Sequence, residues 1–190
     1  MRTLALAAFA AVASLATPIL AKEAPAFTLK DLDGKEHSLA DFKGKTVVLE
    51  WVNFGCPFVK KHYHKSGNMP ELQETYTEKD VVWLSIATGK TAESISSSEA
   101  EKAGSKATAI LLDPSGETGK AYDAKTTPHM IIITEEGEIA YDGAIDSNSS
   151  SKAEDIDSAD KYFADALDAV LEGEEVATAK TKPYGCSVKY

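Results

Sequence analysis

The chain has 190 residues, 43% of them hydrophobic, and a formal net charge of −10 at pH 7. That length fits one domain with a sizeable core, and the acidic balance argues against nucleic acid or an anionic membrane surface as partner. Arg2 is the only arginine, so a mechanism needing a guanidinium from the body of the protein is excluded.

Residues 1–21 have the make-up of a secretory signal peptide: Arg2 gives a positive start, Leu4 to Leu15 is an alanine-rich apolar stretch, and Ala16 and Ala21 are small residues suited to cleavage. Cleavage at Ala21 would remove the arginine and leave no second hydrophobic stretch of membrane-spanning length. Export to a periplasm or the extracellular space would place Cys56 and Cys186, the only two cysteines, in an oxidising compartment. Two are too few for a disulfide scaffold, which points to redox chemistry or one long-range bridge.

After Lys22, Phe27 to Leu29 and Lys35 to Leu39 flank Asp33-Gly34, the pattern of an N-terminal hairpin. Asp41 to Lys45 reads as a loop, and Thr46 to Phe54 as the first core strand. Both alternating sets of that strand are apolar, so both faces are expected to be covered, with Glu50 as the interruption. The strand runs into Gly55-Cys56-Pro57 and a charged helical segment. Pro57 suits the first helical position, which puts Cys56 at the N-cap, beside unpaired N–H groups and the positive helix end. Lys60 and Lys61 follow one turn later, and together these features predict an exposed cysteine with a depressed pKa, a nucleophile. The plainer alternative is a buried structural cysteine.

Ser66-Gly67-Asn68 is expected to break or kink the helix and Pro70 to Tyr76 to resume it. Val81 to Ala87 and Ala107 to Leu112 read as further strands, separated by a weakly periodic helix over 91–102. Glu117 to Tyr122 is a short helix, and Met130 to Thr134 and Glu138 to Asp142 form a closing hairpin around Glu135-Glu136-Gly137. Residues 147–157 have little apolar content and read as a mobile acidic linker. Asp157 or Ser158 is expected to cap an amphipathic helix through Phe163, Ala166, Leu167, Val170 and Leu171 to Gly173. The division is thus a leader (1–21), one α/β domain with a mixed sheet (22–175) and a polar tail (176–190).

In this order of elements the chain resembles the thioredoxin-like superfamily, in its redoxin, peroxiredoxin-like branch, over roughly Pro25 to Gly173. The resemblance implies a mixed central sheet flanked by helices, with the N-terminal hairpin. Cys56 matches the first cysteine of that family's CxxC, the second being replaced by Val59. Thr127-Pro128 is similar to the loop carrying its cis-proline, which lies against the active cysteine, and Glu50 matches its buried acid. The closing Lys182 to Tyr190, KPYGCSVKY, is similar to the tail of a subgroup of exported redoxins. On this footing Thr127 and Pro128 form a platform for an incoming extended peptide. Glu50, with a pKa raised by desolvation, is a candidate base, and Cys186 a candidate resolving thiol.

The leading reading is an exported thiol-disulfide oxidoreductase or redox partner using Cys56, acting on a thiol- or disulfide-bearing protein or small molecule, with no cofactor. A peroxidase is the alternative, although Asn53 stands where peroxiredoxins place a threonine and the mature chain has no arginine. A third reading is a non-enzymatic protein of this fold that binds copper or a client polypeptide, since His62, His64 and His129 accompany Cys56. By default His62 and His64 are read as solvated helix residues, and the His129 ring as serving packing or a local hydrogen bond.

Overall fold

The computed structural model describes residues 22–190; the expected leader lies outside the described residues. Its strands are β1 (Lys22–Glu23), β2 (Thr28–Asp31), β3 (Glu36–Ser38), β4 (Val47–Trp51), β5 (Val82–Thr88), β6 (Ala109–Asp113), β7 (Thr126–Thr127), β8 (His129–Ile133), β9 (Glu138–Gly143) and β10 (Cys186–Ser187). Eight of them form one sheet in the order β1-β9-β8-β4-β5-β6-β2-β3, and β10 pairs with β7 apart from it. The centre is parallel through β4, β5 and β6, whereas β8 and β9 run antiparallel. The fold is the thioredoxin-like α/β arrangement, with the N-terminal hairpin β2–β3 laid on the edge of β6.

Strand β4 organises the core because each of its faces meets a different apolar layer. Val48 and Val52 join Val59, Tyr63, Met69, Trp83, Phe163 and Leu167. Val47, Leu49 and Trp51 join Leu84, Ile86, Leu111, Tyr122, Ile131 and Ile133 on the other face. The first layer is covered by helices α1 (Pro57–Lys60), α2 (Asn68–Thr77), α4 (Ser97–Ala103) and α6 (Tyr162–Glu172), while α3 (Lys90–Ser94) follows β5 and α5 (Glu117–Ala121) follows β6. Full burial of each such Val, Leu, Ile or Phe contributes roughly 1.5–3 kcal/mol, so β4 and the loop after it are held rigidly.

Several expectations are corrected. The single helix over 91–102 is two short ones, α3 (Lys90–Ser94) and α4, because Ile95 is extended and Ser96 caps α4 in a reciprocal box with Glu99. Residues 147–157 are folded upon themselves. Asp146 Oδ1 and Asn148 Oδ1 accept from the N–H groups of Asn148 and Ser150, each at 2.9 Å, and Ala153–Asp155 form a 3₁₀ turn. Short polar side chains thus supply the partners that an apolar core would otherwise hold in place. The Ser147 hydroxyl takes the Asp160 N–H at 2.9 Å, which keeps this stretch out of the helix. Consequently α6 starts at Tyr162 rather than after Asp157 or Ser158.

The largest correction is the tail. Its composition is that of a polar tail with little to bury, yet residues 179–190 cross the molecule as a strap. Asp142 N–H donates to Ala179 O (3.0 Å) and Thr181 N–H to Asp142 O (3.1 Å). The Thr181 hydroxyl is 2.7 Å from that of Tyr141 and accepts from Ala144 N–H at 2.8 Å. At the far end Tyr190 donates to Ala124 O at 2.7 Å.

Candidate active site

The chain leaves β4 through a turn built by Asn53, whose side-chain carbonyl accepts the Gly55 N–H (2.8 Å) and whose backbone carbonyl accepts that of Cys56 (2.9 Å). Cys56 is then extended at the N-cap, with Pro57 at the first helical position and the Lys60 N–H bonded back to Cys56 O at 2.9 Å. A single wide π-turn, Lys61–Lys65, carries the chain on towards α2. The Cys56 thiol donates to Thr127 O at 3.2 Å, across the cis Thr127–Pro128 bond, and its sulfur is 2.6 Å from that of Cys186. The expected exposure of the cap residue is not found: Cys56 is 2% exposed. The strap covers it.

The two sulfurs are electrostatically unequal. Burial pushes the Cys56 thiol up, but hydrogen bonds led by those from the Cys186 thiol and from the Val59 and Cys186 backbones outweigh it, leaving Cys56 below the ordinary cysteine value. Burial, the hydrogen bond to Cys56 and its charge push Cys186 up to about 11. Cys56 is therefore the better thiolate and Cys186 its proton-bearing neighbour. The lysines are not the cause. Lys60 is exposed, and the fully buried Lys61 turns its ammonium to Asn148 O (2.8 Å), Asp146 (3.5 Å) and the Tyr184 hydroxyl (3.3 Å).

Cys186 is brought to Cys56 by antiparallel pairing of β10 on β7, with Cys186 opposite Thr127 and Ser187 opposite Thr126. The strap can approach so closely because glycines receive it. A Cβ at Gly185, whose φ of 137° suits only glycine, would collide with the Thr127 carbonyl. A Cβ at Gly143 would strike the Thr181 hydroxyl, and one at Gly89 the Lys189 carbonyl. Two residues before Cys186, the Tyr184 hydroxyl donates to Asp146 Oδ1 (2.5 Å) and meets His62 Nε2 at 3.1 Å. With the Lys61 contact, that one hydroxyl satisfies three buried groups.

His62 is thus not solvated but fully buried, its Nδ1 at 3.0 Å from Asn68 Nδ2. Burial first, and the Lys61 charge second, lower its pKa to about 3. The unfolded chain takes up a proton near 6.5 whereas the folded protein does not, so this group's contribution to stability is present above pH 6.5 and is lost as pH falls towards 3. Unfolding in urea should show about 2 kcal/mol of loss from His62 between pH 7 and pH 5. His62→Gln is expected to flatten that part of the profile; a variant as acid-sensitive as the unaltered protein would refute the assignment.

Glu50 is fully buried, and its carboxylate accepts from the Tyr63 hydroxyl (2.9 Å), Gln73 Nε2 (3.1 Å), Trp83 Nε1 (3.0 Å) and the Ser85 hydroxyl (3.0 Å). Desolvation raises its pKa against these four donors. Among the described residues its hydrogen bonds end on them and not on Cys56. His129, 2% exposed, pairs Nε2 with Asp142 at 2.7 Å and accepts the Lys125 N–H on Nδ1; His64 is exposed. Among the described residues no group of three or more His, Cys, Asp or Glu side chains is placed to hold a metal ion. Sequence reasoning missed Lys61, Asp146, Tyr184 and Gly185 as the groups that seat Cys186.

Comparison with known proteins agrees with this architecture. The family model described as Redoxin matches residues 20–160. The thiol-disulfide oxidoreductase ResA of Bacillus thuringiensis subsp. konkukian is 32% identical over 120 residues, 63% of this chain. The match spans 66% of that relative, just under two thirds of its length. The crystal structure of an uncharacterized conserved protein from Geobacillus kaustophilus superposes with a TM-score of 0.72 at 30% identity, covering 90% of this chain and 92% of that one. The thioredoxin domain of a thiol-disulfide oxidoreductase from Bacteroides vulgatus, at 22% identity and a TM-score of 0.52, covers 76% of this chain and 98% of its own, and speaks for the fold alone.

Proposed function

Because the chain belongs to the redoxin family, we propose that it is a thiol-disulfide oxidoreductase in which Cys56 is the nucleophile and Cys186 the resolving thiol. The observation that carries this reading is the 2.6 Å approach of two sulfurs 130 residues apart, one with a lowered and one with a raised pKa. The name of the Bacillus relative supports the reaction class.

The reaction balances as follows. The Cys56 thiolate attacks a substrate disulfide, forming a mixed disulfide and expelling the substrate's first thiolate. Cys186, as thiolate, then attacks Cys56 Sγ and expels the second, leaving a Cys56–Cys186 disulfide; two electrons have passed to the substrate. An external dithiol must return them. Once Cys56 is in the mixed disulfide its charge and its hydrogen-bond acceptor role are gone, and these are two of the three influences that hold Cys186 protonated. Forming the intermediate therefore primes its own resolution. Thr127 O lies 3.2 Å from the Cys56 sulfur, beside the cis bond to Pro128. The Glu50 carboxylate is bonded to Tyr63, Gln73, Trp83 and Ser85 rather than to the thiol, so it is given no direct proton transfer with Cys56.

Export belongs to the same proposal, supported by the composition of residues 1–21 and by the redox chemistry. No helix among the described residues is long and apolar enough to cross a membrane. Insulin disulfide reduction with a dithiol as electron source, with peptide mapping of the oxidised protein without reductant, tests the reading. Turnover together with a Cys56–Cys186 cross-linked peptide is expected. An oxidised monomer with both thiols free would sink it.

A further inference from the structure

The edge of β7 beside Cys56 is where an extended polypeptide would add as a strand, and the protein's own residues 186–187 already fill it. The filling is short in the middle and held at both ends. Only two residue pairs and one further bond, Val188 N–H to Lys125 O at 3.0 Å, join β10 to the β7 segment. Upstream lie the saturated Tyr184 hydroxyl and Thr181. Downstream, Lys189 O accepts the Lys90 N–H at 3.3 Å, and Tyr190, 52% exposed, lies under Lys120.

We propose that Lys182–Tyr190 is a resident competitor for polypeptide substrates. An extended polypeptide bearing the reactive sulfur reaches Cys56 by replacing this strand, antiparallel to β7, whereas a small disulfide needs only the Cys186 side chain to part from Cys56. The exposed Tyr190 end peels, and Tyr184, with three buried partners, is the post on which the strap turns. This deepens the oxidoreductase reading and rests on it. A tethered strand competes at an effective concentration of roughly millimolar, so a free peptide at micromolar concentration meets an edge that is almost always taken.

Gly185→Val tests this, because its Cβ would collide with the Thr127 carbonyl and lift the strap; losing the strap's hydrogen bonds to the Cys56 sulfur changes its reactivity toward both probes alike and cancels in the ratio of their rates. Tyr190→Ala, at an exposed position, weakens the downstream anchor and serves as a second probe should the first variant fold poorly. Both are made in the full chain carrying Cys186→Ser, so that a single thiol reacts. The reduced proteins are mixed with dithiobis-nitrobenzoate, or with a short cysteine peptide capped as its thionitrobenzoate disulfide, and release of the same coloured thiolate is timed. The ratio of peptide to small-probe rates should rise about tenfold or more in either variant. A ratio that stays put, whether both rates rise together or neither moves, overturns the proposal. No release from any form with either probe would overturn the exchange reading of Cys56, and this inference with it.

Discussion

Cys56→Ser is expected to abolish disulfide reduction, lowering turnover by about four orders of magnitude or more, the scale seen when a covalent nucleophile is removed. Serine keeps the size of the side chain and its place at the N-cap, so the fold should survive. What is lost is a sulfur that ionises more readily than an ordinary thiol, and a hydroxyl gains far too little acidity from the same neighbours to replace it. Cys186→Ser should behave differently. The first exchange on Cys56 remains possible, but the mixed disulfide has no internal thiol to clear it, so one equivalent of substrate thiolate is released in a burst and the adduct persists until an external thiol arrives. Mass spectrometry of the two variants after mixing with a disulfide substrate separates them: an adduct on Cys186→Ser and none on Cys56→Ser. An adduct on Cys186 in the Cys56→Ser protein, formed as fast as on Cys56, would reverse the assignment of roles.

Asp146→Ala is expected to cost about 3–5 kcal/mol of stability, or on the order of 10 °C in melting temperature for a chain of this size. Asp146 is 5% exposed and Lys61 is completely buried. Removing the carboxylate leaves the ammonium with only Asn148 O and the Tyr184 oxygen, neither of which carries charge, and leaves the Tyr184 proton with no charged acceptor, His62 Nε2 being its one remaining neighbour. Asp146→Asn keeps part of the hydrogen bonding and should lose less. The double variant Lys61→Met, Asp146→Leu should recover much of the loss, because a buried pair replaced by apolar groups of similar volume is often close to neutral. Urea unfolding of the three proteins checks this. A loss of under about 1 kcal/mol for Asp146→Ala would equate the pair with an exposed ion pair and contradict its place under the strap.

The same cluster separates what was legible in the sequence from what was not. The strand-to-helix junction at Gly55-Cys56-Pro57, the coverage of β4 on both faces and the burial of Glu50 on it could all be read locally. Each follows from a period of two, a missing proline N–H or a polar residue interrupting an apolar strand, and neighbours along the chain are enough to fix such features. Lys61 and His62 could not be read in this way. In sequence they form part of an ordinary charged helix segment, and burial is imposed on them by Asp146, Asn148 and Tyr184, which lie 85 to 123 positions away.

Cys56 as the cysteine at the helix cap was determined by the sequence alone; what that sulfur meets was decided by the tertiary structure. A polar tail has the same composition whether it is solvated or strapped down, because what holds it is hydrogen bonding to distant partners rather than burial of apolar surface. Gly185, Gly143 and Gly89 look like ordinary turn glycines along the chain, and only the crossing of two backbones makes each of them the one residue that fits. The tail's position, and with it the pairing of Cys186 with Thr127 and the covering of Cys56, therefore had no local signal to carry it.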